Sequence, residues 1–276
     1  MSELQVASEI PTLADIDDLP EEALARVNSL FQSMTSNPAG FEGGVKWQPE
    51  KLKIRHPVSS DPMMPQDAEF GDLYANGRVL WGEKEGGRSE PLEFVLCYAW
   101  QSRARFQPGD NRPDCTSADS TWNDFGTLKC DNCPDLPFRN GKPTNCQNTL
   151  NMVILPVDLS GVYIVRFSKS SHKAGRNIRR MLGGCKNTFD RRFGLFTEQM
   201  SNGKKKWYVY KTIASEGDVP PEVAAFADYV GKAYKDIRTE FLESLKEMRE
   251  NAAEGLQAMD SIGEDLDDTD GFDDTM

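Results

Sequence analysis

The stretch Leu92–Phe106, "LEFVLCYAWQSRARF", is the segment on which the fold prediction depends. Its first half is continuously apolar, and its second half mixes aromatic and basic residues. Because side chains alternate between the two faces of a strand, Arg103 and Arg105 share one face and Tyr98, Trp100 and Phe106 share the other. We predict one long strand. Its aromatic face either packs on a core opposite a solvated basic face or offers rings to a ligand.

Similar alternation surrounds this strand. Residues 45–56 and 71–82 alternate apolar and polar side chains, and Asn76-Gly77 is the signal of a type I′ hairpin turn. Residues 148–169 and 187–214 each contain two further strand patterns joined by short turns. Five to seven antiparallel strands with little helix predict a mainly β (α+β) fold, an OB-like small β-barrel. A mixed α+β sandwich fits the same pattern less specifically.

The helical signals lie outside the strands. An acidic N-terminal arm, residues 1–40, contains one short helix pattern over 20–34, and a short basic helix spans 170–185 with Ser170 or Ser171 as N-cap. Residues 216–258 form an amphipathic helix that can pack on the core or, through 221–252, join copies into a homo-oligomer. Residues 259–276 carry eight acids and no base, which predicts a disordered acidic tail. The predicted OB-like nucleic-acid-binding core is then 41–215, with a loop-rich insertion at 107–148.

Four of the six cysteines lie in or beside that insertion. Cys115, Cys130, Cys133 and Cys146 have the spacing C-x14-C-x2-C-x12-C, which predicts a structural Zn²⁺ site with four thiolate ligands. An insertion this poor in aliphatic residues needs a cross-link, and metal binding supplies folding free energy. Disulfides, a redox pair and unrelated thiols are the alternatives. Cys97 is predicted to be a small buried apolar residue. Cys185 is predicted to be structural, although it could replace one of the four zinc ligands.

Charge is distributed unevenly along the chain. The net charge is −12, yet residues 166–211 hold thirteen lysines and arginines against two acids. Aromatic residues lie among these cations, and that mixture can neutralise phosphates and stack bases. A solvated basic face is the alternative. The candidate nucleic-acid contacts are Trp100, Arg103, Arg105, Phe106, Arg166, Phe167, Lys169, Lys173, Arg176, Arg179, Arg180, Lys204, Lys205, Lys206, Trp207 and Tyr208.

Other functional classes find little support. There is no P-loop, dinucleotide fingerprint or nucleophile elbow, so we expect a binding protein and not an enzyme. The absence of a signal peptide and of a long apolar run predicts a soluble intracellular protein without membrane contact. The competing interpretations are a zinc-ribbon transcription or polymerase accessory factor, a magnesium-dependent nuclease or nucleotidyl transferase using aspartates such as Asp119, and an acidic DNA mimic.

Taken together, the four cysteines, the basic and aromatic segments and the acidic tail resemble the bacteriophage single-stranded-DNA-binding proteins. The resemblance covers roughly residues 45–276. It differs in having four cysteines where zinc-bearing members use a histidine, and in having an acidic N-terminal arm. It implies coating of single-stranded DNA, without sequence specificity, during DNA replication, recombination and repair, in the host cytoplasm if the chain is phage-encoded. The tail would recruit replication and recombination proteins through Asp267, Asp268, Asp270, Phe272, Asp273 and Asp274.

Overall fold

The computed structural model describes residues 21–35, 49–57, 61–82, 90–107, 113–124, 128–133, 145–203 and 205–264. The helices are α1 (Glu21–Thr35), α2 (His172–Met181) and α3 (Pro221–Glu264). The strands are β1 (Glu50–Ile54), β2 (Leu73–Ala75), β3 (Arg78–Trp81), β4 (Leu92–Phe106), β5 (Pro113–Ser117), β6 (Cys146–Pro156), β7 (Tyr163–Ser168), β8 (Arg192–Ser201) and β9 (Lys206–Ala214). None of the described helices has the length and apolar composition needed to cross a lipid bilayer.

The chain divides into two compact units. The β unit comprises Met1–Trp100 and Thr149–Asp236, and the insertion unit comprises Gln101–Asn148 and Ile237–Met276. The insertion unit therefore joins the predicted insertion to the second half of α3. The predicted tail region is partly corrected, because α3 continues to Glu264. The tail residues from 265 onward, including the six proposed partner-binding positions, lie outside the described residues.

The fold is mixed α+β, with a strongly curled half-barrel sheet and a C-terminal helix. The strand order is β3-β2-β1-β7-β6-β4-β8-β9, and β5 pairs with β4. These nine strands of the described residues exceed the five to seven predicted. The prediction of a wholly antiparallel sheet was also wrong, because β1 and β7 run parallel from Glu50 beside Tyr163 to Leu52 beside Val165.

The predicted strands and turns otherwise occur at the expected positions. The long strand is β4, with the bounds of the quoted stretch. Asn76 and Gly77 have φ values of 41° and 80°, as a type I′ turn between β2 and β3 requires. Ser171 precedes α2 but its hydroxyl does not cap the helix; Ser171 Oγ instead accepts a hydrogen bond from the backbone N–H of Tyr210 at 3.1 Å.

The sheet of the β unit is buried on both faces, which explains its long apolar runs. In β6, Met152 and Ile154 belong to one core with α2, while Val153 and Leu155 belong to a second core with α1 and α3. The curl brings β9 back toward β1, where Tyr210 Oη donates a hydrogen bond to the carbonyl of Leu52 at 2.9 Å. The region between β1 and β9 is where the candidate site lies.

Candidate nucleic-acid interface and cysteine cluster

A cleft of about 460 Å³ opens in the β unit between β1, β7, β9 and the 3₁₀ turn Lys169–Ser171. We call it the basic groove. The cationic or titratable side chains that line it are Lys51, Lys53, His56, Arg166 and Lys169. The aromatic side chains that line it are Trp207, Tyr208 and Tyr210. The groove therefore combines positive charge with rings, the two features that recognise an unpaired nucleic-acid strand.

The cations of the groove are close enough to affect one another. Arg166 lowers the pKa of Lys51, and partial burial and Lys53 lower it further. Lys53 is itself paired with Asp61, so its charge is partly compensated. Because Lys51 and Arg166 lie on neighbouring parallel strands, the β1–β7 pairing creates this concentration of charge. A bound anion would relieve the repulsion.

Both histidines have pKa values below that of a free imidazole. Burial lowers the pKa of His56, which lines the groove. Burial, together with Arg176 and Arg179, lowers the pKa of His172 at the start of α2. Both imidazoles are therefore neutral near pH 7, and neither adds to the resting charge of the groove.

The turn on the groove wall has an uncommon backbone. Lys169 adopts a positive φ of 49°. A non-glycine residue in the left-handed region costs about 1–3 kcal/mol and persists only where its surroundings hold it. One such restraint is the bond from Tyr210 N–H to Ser171 Oγ, which ties the turn to β9. The turn thus presents Lys169 from a fixed position on the groove wall.

The structure brings only part of the predicted contact set to the groove. Arg166, Lys169, Trp207 and Tyr208 line it. The remaining predicted cations of the β unit are exposed but are not part of the groove lining; they are Lys173, Arg176, Arg179, Arg180, Lys205 and Lys206. Lys204 lies outside the described residues.

Two of the predicted stacking rings are corrected. Phe167 is fully buried in the core, with its ring edge-on to Tyr210 at a centroid distance of 5.4 Å. Trp100 packs against Tyr234 of α3 at 5.2 Å and against Tyr98 at 6.0 Å. Phe167 is therefore inaccessible to a ligand, whereas Trp100 is half-buried against α3, and neither ring lines the basic groove. The core-facing interpretation of this part of β4 is therefore the better one.

Sequence reasoning missed the β1 side of the groove. Lys51, Lys53 and His56, which line the groove, come from a segment whose alternation predicts only a strand. The signal was present as alternating cations in "KLKIRH", residues 51–56. Nothing in the sequence, however, shows that this strand pairs with β7, and only that pairing places the cations beside Arg166.

The insertion unit contains the cysteine cluster. Cys115 lies on β5, Cys130 begins the 3₁₀ turn Cys130–Asn132, Cys133 follows that turn, and Cys146 begins β6. All four line one cavity of about 20 Å³. The six cysteines, all within the described residues, form no disulfide bond. Backbone hydrogen bonds from Cys130 N to Thr121 O at 2.7 Å and from Cys133 N to Cys130 O at 3.1 Å fix the turn that presents the pair.

The four thiols affect one another electrostatically. Burial raises the pKa of Cys115, and Cys130 and Cys133 contribute in the same direction, while Arg105 opposes them. Burial and the neighbouring Cys133 raise the pKa of Cys146 to about 11, with Arg103 acting in the opposite direction. These effects on Cys115 and Cys146 agree with the cavity that the four cysteines line together.

Within the described residues, no set of three or more histidine, cysteine, aspartate or glutamate side chains has the geometry of a metal site. The donor chemistry still fits zinc, because four thiols without a competing histidine line a cavity larger than one water-sized sphere. The other two cysteines are accounted for differently. Cys97 is buried, with a pKa raised by desolvation, and Cys185 lies in the β unit and is not part of the cavity lining.

The two arginines of β4 belong to this unit as well. Arg103 Nε donates to Asn148 Oδ1 at 2.9 Å, and Arg105 Nε donates to Asp114 Oδ1 at 3.1 Å. Both residues line the cysteine cavity. Their guanidinium groups support the insertion, and neither residue lines the basic groove. Phe106 is partly buried in the same unit, where its backbone N–H donates to Asn145 O at 3.3 Å.

Aspartates of the insertion have structural partners. Asp119 Oδ1 accepts hydrogen bonds from Thr121 N at 2.8 Å and Trp122 N at 3.2 Å, and Asp124 Oδ1 accepts one from Ala118 N at 2.8 Å. From α3, Arg249 lies 3.9 Å from Asp119 and 4.0 Å from Asp124, and Arg238 donates to the carbonyl of Ala118. These carboxylates therefore organise a loop and its contact with α3. Comparison with protein-family models, curated proteins and solved structures finds no match for this chain.

Proposed function

We propose that this chain is a single-stranded-DNA-binding protein. The observation that carries the proposal is the basic groove, where Lys51, Arg166 and Lys169 accompany Trp207 and Tyr208 in one cleft. In this proposal the cations track phosphates, and the two rings stack bases without reading their sequence. The curled sheet is taken as an OB-like barrel, whose open face commonly binds oligonucleotides.

The cysteine cluster is assigned a structural Zn²⁺, held by Cys115, Cys130, Cys133 and Cys146. Zinc bound by four thiolates has a closed coordination sphere, so its contribution would be folding free energy and not chemistry. The acidic tail is proposed to recruit replication and recombination proteins and to compete with DNA for the basic groove. The role that follows is coating of single strands during replication, recombination and repair, without catalysis.

The test is tryptophan fluorescence quenching by oligo(dT) across a salt series, with an equal-length duplex as the competitor. We expect quenching by the single strand, with log affinity falling by about 0.7 per phosphate contact for each tenfold rise in salt. The double variant Lys51→Ala/Arg166→Ala should weaken binding and reduce the salt slope by about 1.4, the contribution of two contacts. Lys232→Ala is the matched control, because Lys232 is an exposed lysine on α3 paired with Asp228 at 2.6 Å.

Salt-independent binding, or equal effects of the double variant and the control, would overturn the proposal. Preference for the duplex would favour the zinc-ribbon accessory factor. Incubation of the single strand with Mg²⁺ should leave it intact. Cleavage would make the chain a nuclease.

A further inference from the structure

The loop from β1 to β2 carries an exposed aromatic residue beside the basic groove. Phe70 is 52% exposed, and it is followed by Gly71 and then by β2. Gly71 packs directly against Tyr208, because a Cβ atom at this position would lie 2.6 Å from the Tyr208 ring. Tyr208 also lines the groove, so the backbone next to Phe70 lies against a residue of the groove wall.

The Phe70 ring has a cation on one face. The guanidinium carbon of Arg55 lies 5.3 Å from the ring centroid, within cation–π range. This contact orients the ring and adds positive charge next to it. A planar group stacked on the opposite face would meet a ring that is already positioned.

The loop around Phe70 is held at both ends. Asp61 accepts hydrogen bonds from Tyr74 Oη and from Met63 N, each at 3.0 Å, and pairs with Lys53. Gly71 N donates to Arg55 O at 2.9 Å, and Thr197 Oγ1 donates to Gly71 O at 2.7 Å.

Gly71 also has a φ of +97°, a conformation that favours glycine. An apolar ring kept in water on a loop with this many restraints is preorganised for a ligand, so little ordering cost is left for binding.

We propose that the segment 61–71 is a base-stacking platform and that Phe70 stacks one unpaired base of a single-stranded nucleic acid. This inference rests on the proposed function and deepens it. The phosphates of the same strand would lie on the groove cations, while Arg55 braces the ring. A base in a duplex cannot reach the ring face without unpairing, so the platform would also discriminate against paired strands.

The test compares Phe70→Ala with Phe241→Ala, since Phe241 is a similarly exposed phenylalanine, at 47%, on α3 and outside the proposed platform. Phe70→Ala should weaken oligo(dT) binding about 5- to 140-fold, the range of one base–aromatic stack, and should leave the salt slope unchanged. Phe70→Trp should bind like the wild type. Phe241→Ala should also bind like the wild type.

A second measurement identifies the contact directly. Oligo(dT) containing 5-iododeoxyuridine should photo-crosslink to Phe70 in the full chain, and mass spectrometry should find the modified peptide. The crosslink should disappear in Phe70→Ala, whose unchanged melting temperature would show that the variant is folded.

Failure of the platform and failure of the proposed function give different results. If the wild type binds oligo(dT) with the expected salt slope but Phe70→Ala binds equally well, the platform is wrong and the function stands. A crosslink found only on other residues would lead to the same conclusion. If the wild type does not bind oligo(dT), the proposed function itself fails.

Discussion

The positive charges of the basic groove repel one another in the free protein. Arg166 is the largest cause of the lowered pKa of Lys51. A phosphate bound between these side chains would remove the repulsion, so the pKa of Lys51 should rise when oligo(dT) binds. Titration of ¹³C-methylated lysines by NMR, with and without oligo(dT), measures this directly. The titration curve of Lys232 should be the same with and without oligo(dT). An unchanged titration curve of Lys51 in the saturated complex would exclude phosphate binding at this position.

The two histidines predict a pH dependence. Their pKa values lie below 6.5 in the folded state, so the unfolded chain takes up protons first as the pH falls. Stability should therefore be complete above about pH 6.5 and decline as the pH drops toward the folded pKa values. A bound polyanion favours the charged imidazoles, so oligo(dT) should bind more tightly at pH 5.5 than at pH 7.5.

Denaturation midpoints at the two pH values, with and without oligo(dT), test the pH dependence of stability and of oligo(dT) binding. The double variant His56→Gln/His172→Gln should lose most of the pH dependence of binding. If the variant and the wild type depend on pH equally, other groups are responsible.

Helix α3 packs closely against the sheet at Gly231. A Cβ atom at Gly231 would lie 2.7 Å from the carbonyl oxygen of Cys97 on β4. In an exposed helix, Gly to Ala is stabilising by about 1 kcal/mol. Here Gly231→Ala should instead destabilise by about 1–3 kcal/mol, because the helix has to move away from the sheet.

Urea denaturation measures the change in the free energy of unfolding. Glu247→Ala, at an exposed position on α3, is the control and should stay within about 0.5 kcal/mol of the wild type. A stabilised Gly231→Ala would mean that the close contact is absent in solution.

The elements themselves could be predicted, because each rests on local signals. The alternation of side chains predicts β4, Asn76-Gly77 predicts the turn between β2 and β3, and the amphipathic pattern predicts α3. Pairing between distant strands has no comparable local signal, which is why the parallel β1–β7 contact and the Lys51 side of the groove were missed. Burial depends on the same pairing. Phe167 sits among cations in the sequence, yet the alternation of β7 turns its ring into the core and leaves Arg166 outside.

For the whole molecule, the two units should respond differently to zinc. If zinc supplies the folding free energy of the insertion, a strong chelator should abolish hydrogen-exchange protection at Cys130 N and Asn123 N. Protection in the β8–β9 pairing should persist. Cys130→Ser/Cys133→Ser should reproduce the effect of the chelator, and Cys185→Ser should not. Uniform loss of protection in both units would contradict a zinc role confined to the insertion.

The acidic tail gives a second prediction at this scale. Residues 265–276 carry six of the acids of a chain whose net charge is −12. A chain ending at Glu264 should bind oligo(dT) several-fold more tightly at low salt, because a tethered polyanion no longer competes for the groove. The difference should shrink as salt increases. Weaker binding by the truncated chain would contradict competition.

The parallel pairing of β1 with β7 also affects how the chain can fold during its synthesis on the ribosome. Glu50 and its partner Tyr163 are more than a hundred residues apart in the chain. At about 5–20 residues per second, β1 is synthesised roughly 6–23 s before β7. The β2–β3 hairpin needs no such delay. Binding competence should therefore arise late in translation, and a nascent chain stalled before β7 should be unable to retain oligo(dT).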